Sequence, residues 1–121
     1  MKVFSTHFVL KGKSDYRDLV PVFPDMLKSL LEEIGQMPAE EEILQMFIEM
    51  NTADLEHNRK PEGYNRKGKI RLIFPTDRKE FYLKAYSKTT DLSRMTELIS
   101  ALLNSAGIKF EVLQNDRTDF D

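Results

Sequence analysis

Between residues 69 and 87 the chain alternates polar and apolar side chains through two runs, KIRLIFP and KEFYLKAYS, with TDR between them. A period of two is what a strand with one buried face requires, and a short polar interruption between two such runs reads as a hairpin. This feature commits the chain to a sheet. Ile70, Leu72, Phe74, Phe81, Leu83 and Ala85 form its core face, and Lys69, Arg71, Ile73, Tyr82, Lys84 and Tyr86 point the other way. The remaining sequence has to supply neighbouring strands and a cover for the apolar face.

The stretch KVFSTHFVLKG also alternates, with Phe4, Thr6, Phe8 and Leu10 opposed to Val3, Ser5, His7 and Val9. Neither set is purely polar, so this strand is expected at the centre of its sheet. The segment YRDLV has room for one helical turn before Pro21, because a residue preceding proline is pushed out of the helical region. Pro24 suits the first turn of a helix through PDMLKSLLEEIG, with Met26, Leu27, Leu30, Leu31 and Ile34 at helical spacing and Gly35 as the stop. A second helix is expected from Pro38, its first turn holding Glu40, Glu41 and Glu42, where the helix dipole favours negative charge. Its buried stripe is read as Ile43, Met46, Phe47 and Met50, reaching toward Leu55. Asp91 is placed to cap a third helix that buries Leu92, Met95, Ile99, Leu102 and Leu103 and stops at Gly107. The segment IKFEVLQ then supplies a last strand.

The order strand, two helices, strand, strand, helix, strand predicts an α+β fold. It is a single domain with a four-stranded, mostly antiparallel sheet and about three helices, in a ferredoxin-like or split βαβ arrangement. At 121 residues the chain is long enough to bury a core without disulfides or metal, and it contains no cysteine. The domain is expected over 1–114, with 115–121 a flexible acidic tail. No segment is apolar for long enough to span a bilayer, and MKVFSTHFVL lacks the continuous apolar core of a secretory signal, so the expected location is the cytoplasm.

The net charge of −2 conceals a segregation of sign. Residues 1–56 carry 5 basic and 11 acidic side chains, residues 57–88 carry 10 and 3, and residues 89–121 carry 3 and 6. The basic segment opens on HNRKPEGYNRKGKIR, which places Arg59, Lys60, Arg66, Lys67, Lys69 and Arg71 beside the outward Tyr82, Lys84 and Tyr86 of the hairpin. Tyr and Arg are favoured anchors of protein interfaces, and complementary charge speeds and orients encounter. These nine residues therefore form the expected binding surface of a small protein-interaction domain of inhibitor, immunity or adaptor type. Its partner would be an acidic protein or, because residues 1–56 carry the opposite sign, another copy of the chain.

Cations interleaved with aromatic rings also suit single-stranded nucleic acid, where bases stack and phosphates meet charge. The RNA-recognition signature fails, however. Glu80 and Tyr82 stand where small residues belong, Leu83 replaces the central aromatic, and Phe81 and Leu83 fall on the core face. Catalytic chemistry has little to build on: His7 and His57 match no metal-ligand spacing, no serine lies in a GxSxG elbow, and five glycines form no phosphate-cradling loop. A small enzyme with His7 as general base is the remaining catalytic reading. His57 at a helix end suits the dipole, Met26, Met46, Met50 and Met95 read as core, and no cofactor, metal or small-molecule ligand is implied.

Overall fold

The computed structural model describes residues 3–66, 68–86 and 90–115. Strand β1 spans Phe4–Leu10, β2 Ile70–Ile73, β3 Glu80–Ala85 and β4 Phe110–Asn115; helix α1 spans Phe23–Ile34, α2 Glu41–Glu56 and α3 Thr90–Ser105. The strands form one sheet in the order β2-β3-β1-β4, and every neighbouring pair is antiparallel. The chain is thus a small single-domain α+β protein with three helices. β1 is paired on both sides, in keeping with the apolar content of its two faces. Among the described residues no helix is long and apolar enough to cross a membrane. Asn115, the first residue of the tail expected over 115–121, ends β4; the remainder, 116–121, lies outside the described residues, as does Lys67.

Core formation follows the alternation of the hairpin. Phe8, Ile70, Leu72, Phe74, Phe81, Leu83 and Ala85 are buried on the helix-covered face, with the Phe8 and Phe81 rings stacked at 4.9 Å. α1 buries Phe23, Met26, Leu27, Leu30 and Leu31 at i, i+3, i+4, i+7 and i+8, a full apolar stripe. Gly35 ends it in the left-handed region at φ 71°, its N–H returning to the last turn. A 3-10 turn over Tyr16–Leu19 occupies the YRDLV segment, capped by the Asp15 carboxylate.

Three expectations change. Helix α2 begins at Glu41 rather than Pro38, because Glu40 is extended and serves as the capping position. Its buried stripe is Leu44, Ile48, Asn51 and Leu55, turned about one residue from the expected one, leaving Ile43 38%, Met46 48% and Met50 49% exposed. Phe47 is half-buried. Thus Met26 and Met95 are core residues, while Met46 and Met50 are surface residues. The helix turns this way because Asn51 is not a stray polar group. Its amide donates to the Phe47 carbonyl at 2.8 Å and its oxygen accepts the Gly63 N–H at 2.7 Å, so both ends of a buried side chain are satisfied. Finally, Asp91 lies inside the first turn of α3 and accepts from Lys69 at 3.0 Å and from Arg94, rather than acting as the cap.

The basic loop is also fastened to the sheet. Tyr64 N–H donates to the Leu72 carbonyl at 2.8 Å, and Leu72 N–H donates back at 3.0 Å. The Tyr64 hydroxyl donates to Gln36 at 2.7 Å.

Candidate functional site

The pleat and register sort the sheet face opposite the helices into three cross-strand ladders. Arg71 stands opposite Lys84, and Lys84 opposite Ser5. Ile73, Tyr82, His7 and Leu113 follow in line, and Glu80, Val9 and Glu111 make the third row. The face therefore runs from a cationic ladder, through an aromatic and apolar one, to a carboxylate one.

Its centre is a continuous hydrogen-bonded chain. A carboxylate only accepts, so His7 Nδ1 donates to Glu80 at 2.9 Å, and His7 Nε2 lies 3.0 Å from the Ser5 hydroxyl. The Tyr82 ring stacks on the imidazole at 4.6 Å. Hydroxyl, imidazole and carboxylate in this order resemble the parts of an acyl-transfer site. Ser5, however, is only 2% exposed, which leaves its oxygen no approach to an external carbonyl. In this state the chain fastens β1 to β3. Tyr82 points away from the core as the alternation requires, yet it is only 6% exposed, with its ring against His7. That burial raises the Tyr82 phenol above its ordinary range.

The cationic ladder ends on Tyr86, which is half-buried. The Arg71 guanidinium sits 5.1 Å and the Lys84 ammonium 5.6 Å from its ring centre, within cation–π range. Arg71 donates to Asn65 at 3.3 Å, and its buried Nε finds no hydrogen-bond partner among the described residues.

The other expected site residues are distributed around the molecule. Lys69 joins Asp91 at 3.0 Å and Glu33 at 3.7 Å, and Glu33 also takes Arg94 at 2.9 Å, so this cation belongs to a surface network tying β2 to α1 and α3. The Asp91 hydrogen bond raises the Lys69 pKa. Arg66 lies over Phe47 at 5.0 Å and Tyr64 at 5.7 Å, beside α2. Arg59 pairs with Asp54 at 3.0 Å, and with Lys60 it lines a cleft of 420 Å³ completed by Tyr16, Thr76, Asp77, Arg78 and Lys79. Among the described residues of the expected set, only Arg71, Tyr82, Lys84 and Tyr86 share the outer sheet face.

Sequence reasoning passed over Arg78 and Lys79, whose signal was the charge of the hairpin turn itself. Lys79 is held over the Tyr16 ring at 4.3 Å and donates to the Asn58 side chain at 2.7 Å. It also passed over the pairing of His7 with Glu80, 73 residues apart, which no local spacing announces. Among the described residues no group of three His, Cys, Asp or Glu side chains could hold a metal ion. No protein-family model matches the chain, and no curated protein or solved structure matches it.

Proposed function

We propose that the chain is a small cytoplasmic protein-binding domain of inhibitor, immunity or adaptor type, which engages an acidic protein through the outer face of its β2–β3 hairpin. The observation that carries this reading is the convergence of Arg71 and Lys84 on the Tyr86 ring, next to the ladder of Ile73, Tyr82, His7 and Leu113. Leu113 is 48% exposed at the far end of that ladder. A cationic margin beside an aromatic and apolar strip has the composition of an interface core with a charged rim. The absence of cysteine suits a reducing compartment.

The cleft lined by Arg59, Lys60, Arg78 and Lys79 favours a second reading, in which phosphates of a single-stranded nucleic acid enter it. One experiment addresses both. Immobilised wild-type chain and a folded Lys84→Glu/Tyr86→Ala variant are used to capture proteins from extract, and the wild type is titrated with a labelled oligonucleotide at low salt. A salt-eluted protein retained by the wild type and lost from the variant supports the preferred reading; equal recovery overturns it. Oligonucleotide binding that falls linearly in log affinity with log salt would transfer the function to nucleic acid.

A further inference from the structure

The surface stripe of α2 is organised more strictly than a helix facing only solvent needs. Ile43, Met50 and His57 recur every seven residues, with Met46 and Ala53 at the intervening positions, which together make the 3.5-residue seam of a coiled coil. Glu42, Glu49 and Glu56 form a second seven-residue row immediately beside it, and all three are exposed. Residues 37–58 contain six acids, at 40, 41, 42, 49, 54 and 56, and no lysine or arginine. On the other flank Phe47 stands edge-on to Tyr64 at 5.9 Å with the Arg66 guanidinium over both rings, so a basic partner finds its counter-charge on the glutamate side alone. The opposite face of the helix is buried through Leu44, Ile48, Asn51 and Leu55, so the seam is additional to the one that folds the domain.

We propose that α2 docks a basic amphipathic helix of a partner protein along this seam, on a different face from the hairpin. From Ile43 to His57 the seam runs about 21 Å, enough for about two heptads of a second helix. Apolar residues of that helix would enter between Ile43, Met46 and Met50, and the unbranched thioethers of the two methionines adapt to varied shapes. Its lysines or arginines would lie against Glu42, Glu49 and Glu56. Charge opposes an antiparallel second copy of the chain as the occupant, because it would set the three glutamates against their own counterparts.

The test uses two designed peptides of three heptads with leucine at the seam positions, one carrying lysine and the other glutamate at the flanking positions, each labelled for fluorescence anisotropy. Wild-type protein is expected to prefer the lysine peptide by at least about tenfold. Met46→Ser/Met50→Ser should weaken that binding by at least about tenfold. Glu42→Lys/Glu49→Lys/Glu56→Lys should invert the preference. All five side chains are exposed, so the fold should persist, as circular dichroism will report. Independently of any variant, the lysine peptide should shift the NMR signals of Ile43, Met46 and Met50 in the wild type and leave Arg71 and Tyr86 unmoved. Equal affinity for both peptides, no binding at millimolar peptide, or a wild-type dimer that Met46→Ser/Met50→Ser converts to monomer would each overturn the proposal. None of these results depends on the fate of the hairpin surface.

Discussion

Gly35 and Gly63 share a backbone angle, φ 71°, but differ in what surrounds them, and alanine at each position separates two sources of cost. A side chain added at Gly35 meets nothing within 4 Å. Gly35→Ala should therefore lose only the left-handed penalty, about 1–2 kcal/mol, partly offset by a less flexible unfolded chain. At Gly63 the added carbon would sit 2.5 Å from the Leu72 carbonyl oxygen and 3.2 Å from the Phe74 ring. Restoring an ordinary carbon–oxygen contact needs a displacement of about 0.8 Å. That oxygen accepts from Tyr64 at 2.8 Å, and Gly63 itself donates to Asn51 at 2.7 Å, so the displacement loosens one or both bonds. Each buried group left unpaired costs about 1–3 kcal/mol, so the loss of one bond brings Gly63→Ala to about 2–5 kcal/mol in all. Urea unfolding followed by circular dichroism reads the difference. The two variants then differ by about 1–3 kcal/mol, and with a slope of about 2 kcal/mol per molar their midpoints should lie about 0.5–1.5 M apart. Coincident midpoints would refute the reasoning, because they would mean that the loop does not hold Gly63 against Leu72.

Two further outcomes follow from buried polar groups. Tyr16 and Tyr82 are both pushed upward by burial, so the folded state favours the neutral phenol; the stability this contributes is complete below about pH 10 and is lost as pH rises through the folded values. Absorbance titration of wild type against Tyr82→Phe should show the missing phenolate appearing above the ordinary tyrosine range, and a difference centred within that range would contradict the burial of Tyr82. Glu80→Ala should cost about 1–3 kcal/mol by stranding the His7 N–H, and Glu80→Gln less, because its oxygen still accepts. Equal losses in thermal unfolding would show that the hydrogen bond to His7 contributes nothing.

Much of the fold was legible because the hairpin and α1 state their periods clearly. Phe81 and Leu83 had to face inward once Tyr82 and Lys84 faced out, and the positions 23, 26, 27, 30 and 31 admit only one helical face. α2 was harder for a physical reason. It carries two apolar stripes about one residue apart, and the one that folds the domain is interrupted by Asn51, whose polarity reads as surface until its partners at Phe47 and Gly63 are known. The exposed methionine stripe is the more continuous of the two in sequence and so presented itself as the core. The basic run misled in another way. Charge summed along the chain says nothing of where carboxylates from other segments arrive, and Glu33, Asp91 and Asp54 each reach a cation counted as part of one ridge. Tyr82 kept its predicted direction while His7, distant in sequence, took up its ring.

The tie between Tyr64 and Leu72 has a consequence for the rim of the sheet. A terminal strand with idle amides is a template on which foreign chains can assemble, and β2 ends the sheet on its side. Tyr64 already occupies the outward N–H and carbonyl of Leu72. A stray strand arriving there must first peel this residue away and surrender both bonds, so the Tyr64 backbone guards this flank against fibrous growth.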